Sequence, residues 1–232
     1  MPIDFSTPQG PQFSGEIPAA IPLALLTALR DLDTPEDPDD LVVAHEALNL
    51  RRRLGLSRVV LEQIRRYEAE LDDVTADEVA NLFTLVARRP DAAVIFEAAG
   101  RRMAREHMST RGLARRLATR ILPLPLRRWR AWRRAGRCAR RLCPGAPVRV
   151  SPRSSEIEIE GALPTHATEG GSGCSLLAGL VIGILEGYRA GDGRIVHARC
   201  EARGDDLCAW RGETDEDASS QAGASGESDA RD

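Results

Sequence analysis

Residues 174–210 read CSLLAGLVIGILEGYRAGDGRIVHARCEARGDDLCAW, and the period of the pattern changes partway along them. The first fifteen positions are almost wholly apolar and punctuated by Gly179, Gly183 and Gly187, which predicts a buried helix from Cys174 to about Tyr188. Gly191-Asp192-Gly193 then turns the chain into a strand over residues 194–202, and Gly204-Asp205-Asp206 turns it again into a short last strand over 207–211. Just upstream, Val148-Arg149-Val150 and Glu156-Ile157-Glu158-Ile159-Glu160 alternate strictly around Pro152-Arg153-Ser154, the mark of a hairpin with one wet face. Hairpins at this end, with helical spacing before them, predict an α+β fold: N-terminal helices packed on an antiparallel sheet made from the C-terminal hairpins.

Working outward, residues 17–32 carry Ile21, Leu25, Leu26 and Leu29 at helical spacing, with Pro18 and Pro22 pushing the start of the helix later. Residues 31–40 hold six acids and two prolines and read as an exposed loop. A second helix is expected from Asp39 or Asp40 to Gly55, and a third from a Ser57 cap to about Asp72. Thr75-Ala76-Asp77-Glu78 is a capping box that opens a fourth, ended by Pro90. An amphipathic segment follows over 92–122, broken near 109–112. The expected organisation is a flexible arm at 1–15, a helical region at 16–74, a ligand-binding domain at 75–212 and a disordered acidic tail at 213–232.

Composition narrows the function. With 4% aromatic residues in 232, the core must be built from Leu, Val, Ile and Ala. No apolar run approaches the roughly 18–20 residues that span a bilayer, and Met1-Pro2-Ile3-Asp4-Phe5 lacks the form of a secretory leader, so a cytoplasmic protein is expected. A net charge of −3 conceals a strong asymmetry, because residues 101–141 hold 15 Arg against one acid, Glu106.

The five cysteines are Cys138, Cys143, Cys174, Cys200 and Cys208. Two strands joined by a tight turn bring Cys200 and Cys208 together, and a helix start at Cys174 offers a third thiolate. His197 supplies an imidazole, completing a four-ligand shell that suits a structural Zn2+. The alternative is three small buried residues with no metal, since no C-x-x-C pair is present. Strict alternation also sets His197 and Cys200 on opposite faces of one strand, so sharing an ion requires a bulge there.

The segment from Gly179 to Trp210 resembles the 4-vinyl-reductase domain family, which shares a superfamily with aromatic-sensing input domains of bacterial activators and with TRAPP transport subunits. The residues that carry the resemblance are Gly179, Gly183, Ile195-Val196, Cys200, Gly204-Asp205, Cys208 and Trp210, with Phe96-Glu97-Ala98-Ala99-Gly100-Arg101-Arg102 upstream. It covers residues 92–212. In zinc-bearing relatives of the sensor branch, a Cys before the helix and an acid-x-x-Cys-x7-Cys run hold the metal. Cys174, Cys200 and Cys208 match the thiols, while His197 stands in the acid's place. The resemblance implies a TRAPP-like fold, a homodimer, and a hydrophobic molecule or tetrapyrrole as ligand.

On that basis the expected function is non-catalytic binding or sensing of a small hydrophobic molecule, with Phe96 and the face of Gly179 and Gly183 as candidate ligand contacts. Tight helix packing is the alternative reading of those glycines. An accessory carrier or enzyme in (bacterio)chlorophyll-type tetrapyrrole reduction is the second expectation, but neither a nicotinamide fingerprint nor an iron–sulfur pattern is present. A third rests on residues 127–141, RRWRAWRRAGRCARR, in which Arg127, Arg128, Arg130, Arg133 and Arg134 interleave with Trp129 and Trp132. Such a segment fits an adaptor for anionic lipid or RNA, or else a solvated helix whose Trp face packs inward. Nothing in it reads bases, so sequence-specific DNA binding is not expected; a signal would pass to a protein partner.

Overall fold

The computed structural model describes residues 16–34, 57–69, 73–109, 122–191 and 194–213. The expected arm at 1–15, the helix at 39–55, most of the acidic loop at 31–40 and the tail beyond 213 lie outside them. A four-stranded antiparallel sheet is built from β3 (Val148–Ser151), β4 (Glu156–Ile159), β5 (Ile195–Arg199) and β6 (Cys208–Gly212), in the order β3-β4-β6-β5. Register places Val148 opposite Ile159, Val150 opposite Ile157, Ile157 opposite Trp210 and Ile159 opposite Cys208. These residues share one face by the two-residue alternation of a strand, and it is the covered one: Ile157, Ile159, Cys208 and Trp210 are buried. Arg199 and Glu158 pair across the other face.

Two helices cover the sheet. α5 (Leu124–Leu142) lays its apolar side, with Ala131, Trp132, Ala135, Ala139 and Leu142, against it. Val150 of β3 fits where Gly136 has no side chain, since a Cβ there would overlap its methyl. α7 (Cys174–Tyr188) lies alongside, and eleven of its fifteen residues are buried. A helix that is apolar all round needs partners on every side, and α7 finds a second one in α4 (Ala92–Ser109). The remaining helices stack outward: α1 (Ala20–Asp33) on α4, α2 (Arg58–Ala69) on α1, and α3 (Ala76–Ala87) against α4, where Phe83 meets Phe96 edge-on at 5.2 Å. The mixed helix-and-sheet architecture agrees with the expected class, with one correction. The N-terminal helices stack on α4, which in turn packs on α7, and the sheet's direct neighbours are α5 and α7.

Local signals in the sequence act as anticipated at the helix starts. Ser57 Oγ accepts from Val60 N at 3.3 Å, and Thr75 Oγ1 from Glu78 N at 3.3 Å, each satisfying an orphan donor of the first turn. Residues 16–18 depart from the expectation: Glu16–Pro18 is a strand, β1, paired antiparallel with β2 (Asp73–Thr75), and the helix begins at Ala20. The core is continuous from Ile17 to Trp210. Among the described residues, no helix is long and apolar enough to cross a membrane.

At the far end of α1 a nearly buried carboxylate, Asp33, accepts two hydrogen bonds from Arg89, at 3.0 and 2.8 Å. The same guanidinium bonds Asp91 and holds that carboxyl below its ordinary range. Arg89→Met strips Asp33 of its guanidinium partner. The expected loss is about 2 kcal/mol, below the figure for a fully buried pair because one-fifth of Arg89 is exposed. The shift of the urea midpoint measures it.

Candidate metal centre

Three elements meet where the last hairpin folds back on α7. The chain enters α7 through a tight turn in which Gly170 and Gly171 have φ of 72° and 74°. A Cβ on Gly171 would stand 2.9 Å from Cys200 Sγ, so this glycine is demanded by both backbone and space. Thr168 Oγ1 accepts from Gly173 N at 3.0 Å and donates to Pro164 O at 2.7 Å, which fixes the first turn of α7 and with it Cys174.

The hairpin supplies the other groups. His197 pairs with Trp210 but Arg199 pairs with Ala209, so one extra residue is inserted at Ala198. That bulge cancels the alternation that would set His197 and Cys200 on opposite faces. The expected strand over 194–202 stops at Arg199. Residues Glu201–Arg203 form a 3-10 turn, because Asp205 Oδ2 accepts from Cys200 N at 2.6 Å and Gly204 takes φ 95°. The imidazole of His197 stacks on Trp210 at 4.9 Å with the rings 6° from parallel.

Cys174, Cys200 and Cys208 are buried as free thiols. Cys174 Sγ lies 3.9 Å from both other sulfurs, and the ligand atoms of all four residues lie within 4.8 Å of one another. Two sulfurs about 2.3 Å from one tetrahedral ion stand about 3.8 Å apart, so the spacing is that of a ligand shell. His197 Nε2 is buried among the three thiols, where it can serve as a fourth ligand. The cluster of three cysteines and one histidine can therefore hold a metal ion.

A hydrogen bond from Cys174 holds the Cys208 thiol below its ordinary range, with His197 and Thr165 adding to the effect. The same bond, together with burial, raises Cys174. Thr165 Oγ1 bridges the pair, 3.4 Å from Cys174 Sγ and 3.2 Å from Cys208 Sγ. Thr165, Gly171 and Asp205 as supports of the cluster went unread in the sequence. Gly171 stood inside a visible glycine run, whereas a threonine in the single turn of α6 (Leu163–His166) gives no signal.

The other candidates lie elsewhere. Phe96 is packed against Phe83, and the face of Gly179 and Gly183 is closed by α4: a Cβ on Gly179 would overlap the carbonyl of Glu97, and one on Gly183 would lie 2.6 Å from the Ala104 methyl. The ligand role expected for these three residues is thereby corrected. The glycines let two helices touch. A hollow of about 330 Å³ opens instead between the start of α1 and the C-terminal halves of α4 and α5, lined by Ile21, Met103, His107, Cys138, Leu142 and Leu180 among others. Of the arginines, Arg130 and Arg133 are exposed on α5, while Arg127, Arg128 and Arg134 are half-buried.

Fold and site together define an α+β domain whose final hairpin meets its central helix at a Cys3His cluster able to hold a metal ion. No protein-family model, no curated protein and no solved structure matches the chain.

Proposed function

We propose that this chain is a non-catalytic binding domain for a small hydrophobic molecule, of the 4-vinyl-reductase kind, in which Cys174, His197, Cys200 and Cys208 hold a structural zinc ion. Four protein ligands leave no position for water or substrate, which makes the ion a staple. The observation that carries the binding role is the hollow. Its wall is mainly apolar, and its volume of about 330 Å³ falls at the small end of the roughly 300–1,000 Å³ typical of ligand pockets. No aromatic ring of Phe, Tyr or Trp is among its lining residues, and it is small for a tetrapyrrole macrocycle. An aliphatic chain fits both facts.

Native mass spectrometry of the purified chain tests the pair of claims together and reads the homodimer that the resemblance implies. The expected species carries one zinc ion and one hydrophobic adduct per chain. Leu180→Trp fills the hollow, so it is expected to lose the adduct and its binding of a fluorescent medium-chain fatty acid while keeping the zinc. A wild-type chain that neither carries an adduct nor binds that fatty acid, or a Leu180→Trp chain that binds it as before, overturns the binding role.

A further inference from the structure

The outer surface of α5 is used by neither the cluster nor the hollow's core. The helix contains eight arginines and no acid in nineteen residues. Its buried side faces the sheet and α7; the opposite side presents Arg130, Arg133, Arg137, Arg140 and Arg141, all exposed. Among the described residues, no carboxylate forms an ion pair with these five. The Arg133 guanidinium lies over the Trp129 ring at 4.7 Å, and Arg140 donates to the Val148 carbonyl at 3.3 Å. At the N-terminal end of the helix the surface turns apolar: Leu124 is 49% exposed, and Leu126 and Trp129 38% each. Two of these, Leu126 and Trp129, share the face of the arginines by helical periodicity.

We infer that this face of α5 docks on an anionic membrane leaflet, with Trp129 and Leu126 seated at the headgroup level and the arginines on lipid phosphates. A cationic face with Trp and Leu at one end is the composition of a helix that lies in the interface plane, and Trp prefers that depth. The exposed face of a helix meets a plane along its length, whereas single-stranded RNA is held in a groove with open aromatic faces; here the one exposed Trp ring of the helix already lies under a guanidinium. The position of Arg141 also favours lipid, because the same exposed residue lines the apolar hollow and so sets that hollow beside the leaflet. This last point rests on the binding role proposed above; the charge and Trp129 do not.

Co-sedimentation of the full chain with vesicles is the test. Strong binding is expected to phosphatidylcholine vesicles containing phosphatidylserine, falling steeply as salt rises, with none to phosphatidylcholine alone. Each basic residue near such a surface contributes roughly a factor of five, so the combined change Arg130→Gln, Arg133→Gln and Arg137→Gln is expected to weaken binding about a hundredfold. All three side chains are exposed, so the triple variant should melt like the wild type. Trp129→Ala is expected to weaken vesicle binding as well. Equal sedimentation with neutral vesicles, a folded triple variant that binds undiminished, or tighter binding to polyuridylate RNA than to the anionic vesicles each overturns the docking. Loss of the hydrophobic adduct in Leu180→Trp should leave vesicle binding intact, which separates this claim from the hollow.

Discussion

Cys200→Ser and Cys208→Ser chains are expected to purify without a bound ion and to lose about 5 kcal/mol of stability, among the largest effects a single substitution produces. For a domain of this size that corresponds to a melting temperature lower by about 10–20 °C. The reason lies in what the two thiols join. Cys208 begins β6, Cys200 follows β5, and Cys174 begins α7, so a shared ion ties the edge of the sheet to the central helix. Without it, the hairpin is held to α7 by Trp210 and its neighbours alone, and two buried thiols face each other around an empty centre. His197→Ala should be milder, since three thiolates still bind, and the ion should be weakened rather than lost. Elemental analysis reads the metal and its identity, and calorimetry reads the melt. Cys138→Ser is the control: Cys138 lies on α5 outside the cluster and its loss should leave the metal content at one. If both Cys200→Ser and Cys208→Ser retain a full equivalent of metal and melt with the wild type, there is no staple.

The cluster was legible in the sequence because its geometry is local. Two of its four groups sit on strands joined by one turn, and the third opens a helix whose apolar run is unmistakable. Even the obstacle was legible: alternation required a bulge between His197 and Cys200, and the extra residue at Ala198 is that bulge. The hairpin of β3 and β4 declared itself by strict alternation, and Ser57 and Thr75 by the chemistry of helix caps. What stayed hidden depends on residues far apart in the chain. Gly100 meets Leu176 and Gly179 from a helix some eighty positions away, and no period within α7 says which surface will cover its glycines. The three-residue strands β1 and β2 are too short for any pattern, and Pro18 argues against one until its partner at Asp73 is known. The hollow assembles side chains from five elements, none of which marks it alone.

The other large effect is expected from Gly179→Ala, which should cost 3 kcal/mol or more even though alanine is the better helix former by about 1 kcal/mol. The new methyl would overlap the backbone carbonyl of Glu97 on α4, and the facing Gly100 is equally tight against the carbonyl of Leu176. Backbone cannot turn aside as a side chain can, so the two helices must separate along their whole contact, and the core on both sides of α7 loosens with them. Gly187 supplies the internal comparison. It lies on the same face of α7, but a Cβ there meets only the Met108 side chain, with Cε at 2.9 Å. A flexible thioether moves at little cost, so Gly187→Ala is expected to be neutral or slightly stabilising through helix propensity. Urea unfolding of the two variants reads the difference directly. A Gly179→Ala chain that unfolds with the wild type would mean that the helices do not cross there. If it also lost the hydrophobic adduct, the glycine face would be a ligand seat after all. The expected pattern is the reverse: a damaged fold at Gly179, an undamaged one at Gly187, and α4 and α7 held at contact distance by the absence of two side chains.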